Sequence, residues 1–175
     1  MAPFTLYDAT IVQTKLLLTT LDHILTKAEE HPNADNFPKA RLYEDMKPLT
    51  FQIHAATRFS EKVLARLSGK AAKEFEDNLV SYEDMHKRIA DALEALGQVD
   101  KEAVNRHGEE VAPTDLPSVG TMNLSGKSFT MGAAIPNINF HVDMAYAILR
   151  KEGVPLGKAD YAMSFAKELI LKPQE

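Results

Sequence analysis

The chain contains no cysteine, which removes disulfides, thiolate metal sites and cysteine nucleophiles together and fits a reducing compartment. Positive charge is also in short supply. Lys and Arg number 20 against 25 Asp and Glu, a net charge of -5, so the electrostatic term that dominates nucleic-acid binding is missing. No nucleic-acid partner is expected, and the same charge opposes a helix-turn-helix reading of the helices. No apolar run approaches the roughly 18 uninterrupted residues of a membrane span. The opening MAPFTLYDAT lacks the basic stretch and apolar core of a secretory signal, so the expected setting is the cytoplasm, with no membrane partner. Phosphate-loop, dinucleotide, HExxH, GxSxG and kinase signatures are all absent from the sequence.

What is present is a globular composition, 45% hydrophobic and 26% charged over 175 residues, the size of one ordinary domain with a sizeable core. A single domain over 1–175 is expected. Apolar residues from Leu6 to Glu29 return at three- and four-residue steps and predict a first helix, with Thr5 and Asp8 as a capping pair. The stretch His31–Arg41 carries two prolines and two asparagines and reads as a loop. A second helix is expected to begin near Asp45, an N-cap type, to tolerate Pro48 in its first turn, and to stop at Gly69. Gln52 and Arg58 on it are assigned to the solvated face. A third helix starts at Ser81, with Asp84 completing a capping box, and ends at Gly97. Asp100–Asn105 reads as a short helical piece, and Val111–Leu124 as irregular chain with room for a small hairpin. A fourth helix, Lys127 to Glu152, ends at Gly153-Val154-Pro155, and a short fifth one follows from Asp160 to Leu171. The expected fold is all-α, an antiparallel four-helix bundle with an irregular crossover before the fourth helix.

The stretch Pro136–Tyr161 carries the chemistry. An interior proline removes a helix hydrogen bond and usually kinks the helix, a device common where a helix lines a cavity. Asn137 and His141 stand at i and i+4 and share the face beside that point. His141 titrates near neutrality and suits proton transfer; Asn137 would orient a substrate or the ring, and Tyr146 or Tyr43 would supply a phenol. Phe51, Phe140, Met131 and Tyr43 are the expected substrate contacts, because aromatic and methionine side chains wall apolar pockets. The remaining histidines are assigned to loops, His31 and His107, or to charged helix faces, His23 and His86.

The segment HVDMAYAILRKEGVPLGKADY, with YEDMKPLTFQ at Tyr43–Gln52 and the Ala65–Gly69 ending of the second helix, resembles a domain-of-unknown-function family within the DinB-like (YfiT-like) superfamily of four-helix bundles. That resemblance covers nearly the whole chain and implies a metalloenzyme. In the superfamily a histidine on the second helix and a His-x-x-x-His pair on a later helix bind a divalent metal, and His54 and His141 lie on the matching helices here. Ala145 and Asn137 occupy the positions four residues after and before His141. Zinc, nickel, manganese or iron would then be held by His54 and His141 with Asn137, or with a carboxylate. Asp143 points away from His141 on a helix, which leaves Asp45 or an acid from elsewhere. The resemblance also implies a homodimer.

Two functions follow as expectations. One is a small-molecule-binding protein or enzyme with its pocket near Pro136. In it His141, with His54, acts as acid, base or degenerate metal ligand, in an isomerase, lyase or cyclase working on an apolar substrate. The other is a non-catalytic dimeric binding or scaffold protein whose histidines are structural. Imidazoles opening onto one concave apolar cavity distinguish the first from the second.

Overall fold

Helical periodicity and capping chemistry decide most of the chain's local structure. In the computed structural model, which describes residues 4–117 and 119–172, helix α1 (Gln13–Glu29) continues a π-helical turn, Asp8–Val12. The Asp8 carboxylate ahead of it accepts from both the amide and the hydroxyl of Thr5, at 2.8 and 2.7 Å. A 3-10 turn, Ala34–Lys39, occupies part of the loop that follows. Helix α2 (Leu49–Ser68) starts after Pro48 rather than at Asp45. Proline disfavours helical geometry in the residue before it, so the helix cannot run back through Lys47, and Asp45 lies in an exposed turn. Gly69 ends α2 at a φ of 70°, a conformation that costs glycine little.

Helix α3 (Tyr82–Gly97) opens on the expected capping box, with Ser81 and Asp84 each accepting from the other's amide at 3.1 Å. Helix α4 (Lys101–His107) is capped by Asp100. Strands β1 (Val111–Leu116) and β2 (Gly120–Ser125) then pair as an antiparallel hairpin, Val111 opposite Ser125 and Leu116 opposite Gly120. The expected fourth helix is one rod in three parts: α5 (Gly126–Phe129), a π-helical stretch Thr130–Ala134, and α6 (Ile135–Lys151). Pro136 therefore sits inside the rod, directly after the π stretch, where the backbone has already left regular i→i−4 bonding. Helix α7 (Lys158–Leu169) closes the described chain.

Four helices form the bundle. α2 packs on α6 and α3, α1 packs on α6 and α3, and α7 lies along α1. Contacts from Asp22 to His86 and from Ala34 to Tyr82 make α1 and α3 antiparallel. Gln52 meets His141 while Phe59 shares a cleft with Ala133, so α2 and α6 are antiparallel too. Leu64 and Ser68 of α2 lie beside Ala95 and Val99 of the α3 end, so these two helices run the same way, and the segment 69–81 carries the chain back along their length. Ile11, Leu21, Ile24, Ile53, Val63, Ile89, Ile138 and Ile148 are fully buried in one continuous core. Among the described residues no helix is long and apolar enough to cross a membrane.

Candidate functional site

The broad contact between α2 and α6 holds the only polar cluster that joins those two helices through side chains among the described residues. Gln52, expected on the solvated face, is 3% exposed. Its position in the first turn of α2 lets Nε2 donate back to the carbonyls of Lys47 and Pro48, at 3.0 and 3.4 Å. That fixes which way the amide points, since only nitrogen can donate. Oε1 is thereby turned towards α6, where it accepts from His141 Nδ1 at 2.8 Å. The imidazole proton accordingly resides on Nδ1, and Nε2 carries a lone pair.

Aromatic rings enclose that imidazole. Phe51 and Phe140 meet the His141 ring edge-on, with centroids 6.0 and 5.3 Å away, and Phe59 stacks on it at 6.3 Å. Burial first, then the Arg58 and His54 charges, hold the His141 pKa down to about 4. The ring is therefore neutral throughout the physiological range. His54, one helical turn before Arg58, is 6% exposed, and its Nδ1 has no hydrogen-bond partner among the described residues. Its ring contacts Phe51 at 5.9 Å, so both imidazoles contact the same phenyl ring. Burial lowers the His54 pKa as well; Arg58 and Arg88 add to the effect, while Asp77 and the main chain at Glu76 oppose it.

The structure thus brings together His54, His141, Phe51 and Phe140 from the expected set. Asn137 follows a different course: its amide donates to the Ala133 carbonyl of its own helix at 2.8 Å and it lines a cleft rather than touching the His141 ring. Tyr146 packs edge-on against Tyr161 of α7, 6.0 Å between centroids, on the far side of α6. Tyr43 is exposed in the turn before α2, and Met131 is exposed on the π stretch, while Phe129 of α5 and Ala133 line the cleft instead. His86, assigned to an exposed face, is half-buried and bonded to Asp22 at 2.6 Å, and His107 ends α4 rather than lying in a loop.

Sequence reasoning passed over Gln52, Arg58 and Phe59. Gln52 and Arg58 flank His54 on one helix, and the Arg58 spacing of i+4 was a usable signal. The role of Gln52 depends on its place in the first turn of α2, beside the Lys47 carbonyl, which only the true boundary reveals.

Beside the histidines a cleft of about 700 Å³ opens between α2, the π stretch and the hairpin, lined by Arg58, Phe59, Lys62, Phe129 and Asn137 among others. Neither histidine forms part of its wall; Phe59 separates it from His141. The donor set does not fit a catalytic zinc or iron centre, which takes three protein ligands. Among the described residues no three His, Asp or Glu side chains converge. Ala145 supplies no donor, and the Asn137 amide is turned to its own main chain. Asp45 and Asp143 are exposed at other places on the surface.

A four-helix bundle with a hairpin crossover and histidines on its second and last bundle helices defines a DinB-like protein. A crystal structure of a DinB family member protein from Shewanella denitrificans superposes with a TM-score of 0.79 at 31% identity, covering 89% of this chain and 90% of that one. Residues 6–162 match the model of the domain of unknown function DUF1993, and the chain belongs to that family. The search of curated proteins returned no match.

Proposed function

We propose that this protein is a small-molecule enzyme in which His141 Nε2 acts as a general base, abstracting a proton from carbon next to a carbonyl as an isomerase or lyase does. The observation that carries this reading is the Gln52–His141 hydrogen bond at 2.8 Å. It presents one nitrogen in a fixed orientation, and the aromatic enclosure keeps that nitrogen unprotonated; the same burial makes it a weak base, which suits only a carbon acid already activated by its carbonyl. The same Nε2 then gives the proton back, to the neighbouring carbon in an isomerase or to the leaving group in a lyase, and the ring ends neutral. Two imidazoles with no third ligand among the described residues suit proton transfer rather than metal chemistry.

The test uses ketones whose α-protons exchange measurably, phenylpyruvate and phenylacetone, in D2O with NMR detection. Exchange above the buffer rate, lost in His141→Asn and unchanged by EDTA, is the expected result. Equal exchange by both proteins, or none above buffer with either ketone, rejects the reading.

A second reading is favoured by the exposure of Phe140, at 52%, and Met131, at 48%, on one side of the fourth bundle helix. These residues fit a homodimer face, and Phe140 is also the outer wall of the His141 enclosure, so a second copy would close the site. Sedimentation velocity of wild type and Phe140→Glu tests it: a dimer converted to monomer supports the interface, and a monomeric wild type removes it.

A further inference from the structure

The cleft beside the histidines has a polarity that proton abstraction alone does not require. Arg58 and Lys62 line it together, with Asp115 of the hairpin as the carboxylate on its wall. Both cations lie over the same ring: the Arg58 guanidinium carbon is 5.4 Å from the Phe59 centroid and Lys62 Nζ is 5.5 Å from it. That ring is also the one stacked on His141. Phe59 therefore connects a cationic pole, facing the cleft, to the basic imidazole behind it. Arg58 Nε is buried and has no acceptor among the described residues, although a buried guanidinium N–H without an acceptor is costly and rarely tolerated without a purpose. His54 Nδ1, one turn earlier on α2, is buried and unpartnered as well. Phe129, Ala133 and Leu116 give the wall its apolar part, Asn137 and Thr121 are its neutral polar residues, and the volume suits a small organic molecule.

We propose that this cleft is a binding site for a small apolar carboxylic acid. The carboxylate is held by the Arg58 fork with Lys62 in support, and the hydrocarbon body lies against Phe59 and Phe129. The assignment goes beyond the acid-base reading above and stands apart from it, since Phe59 lies between this cleft and His141. Arginine suits the role better than lysine because its planar fork matches the two carboxylate oxygens.

The experiment measures binding of 3-phenylpropanoate, which undergoes no proton chemistry here, against its neutral analogue 3-phenylpropanamide, by ligand-observed NMR and calorimetry. The expected result is that the acid binds at least tenfold more tightly than the amide. Arg58→Gln is expected to abolish the preference, lowering acid affinity about 10- to 100-fold. Arg58→Lys, which keeps charge and side-chain bulk, is expected to retain an intermediate affinity, and guards against loss of folding in the glutamine variant. Inorganic phosphate, added as competitor, is expected to displace the acid weakly. Equal affinity for acid and amide, unchanged acid binding in both Arg58 variants, or no binding of the acid at 10-fold the concentration of protein at millimolar level overturns the proposal. His141→Asn separates the two readings: it is expected to retain acid binding while losing exchange. Retained binding with no exchange by wild type would leave the acid site standing and remove the base.

Discussion

Replacing Gln52 by glutamate tests the hydrogen bond on which the His141 tautomer depends. In the wild type a neutral amide oxygen lies 2.8 Å from Nδ1. A carboxylate in its place sets a negative charge about 4 Å from the centre of an imidazolium, an attraction of roughly 4 kcal/mol at an effective dielectric of 20. Part of that is spent on desolvating the carboxylate. The introduced group also loses the donor to the Lys47 carbonyl, which costs about 1–3 kcal/mol in stability; the Pro48 carbonyl keeps the amides of Phe51 and Gln52. The net effect on the ring is a rise in pKa by roughly one to three units, from about 4 in the wild type towards the ordinary histidine range. Long-range proton–nitrogen NMR of the imidazole as a function of pH reads both quantities. The wild type is expected to hold the Nδ1–H tautomer from pH 5 upwards, and Gln52→Glu to titrate as an imidazolium within pH 5–7. An unchanged titration in the variant, or an Nε2–H tautomer in the wild type, would refute the Gln52–His141 geometry and the base assignment with it.

Other outcomes follow from the same structure. Because the folded-state pKa of His141 is lowered, from 6.5 to about 4, the unfolded chain binds its proton first. The ring's contribution to stability is complete above pH 6.5 and disappears as pH falls towards 4. At face value the shift is worth about 3 kcal/mol, and solvent screening of a half-buried ring reduces this to about 1–2 kcal/mol. Urea titrations of wild type and His141→Phe should therefore differ with pH below 6.5 and run parallel above it; parallel curves throughout would contradict the burial of the ring. Gly69→Ala combines a φ of 70° with a Cβ placed 2.6 Å from His107 Cε1, so a loss of about 1–3 kcal/mol is expected by the same titration, and a neutral result would contradict the packing of α4 on α2. Protein purified without an affinity tag is expected to hold less than stoichiometric zinc, nickel, manganese or iron by elemental analysis. Stoichiometric metal, lost in both His54→Ala and His141→Ala, would instead restore a two-histidine metal site.

Much of the fold was legible along the chain because it is written in local chemistry. The Ser81–Asp84 box, the stop at Gly69, the Asp8 cap and the end at Gly153 are contacts within four residues, which spacing alone can reveal. The resemblance of the C-terminal motif to a DinB-like family was legible for the same reason, and so was the presence of His54 and His141 on two separate helices. Tertiary structure decided the rest. Which direction α2 and α3 take relative to each other depends on how the segment 69–81 is routed, and no periodicity encodes that. The site depends on a glutamine whose amide is oriented by carbonyls at a helix start and whose other end meets a residue 89 positions later in the chain. Arg58 and Phe59 acquire their meaning only when α6 and the hairpin are laid against α2. A helical period states which side chains share a face; only packing states which face becomes buried, and there an ordinary polar residue such as Gln52 becomes the group that fixes a proton.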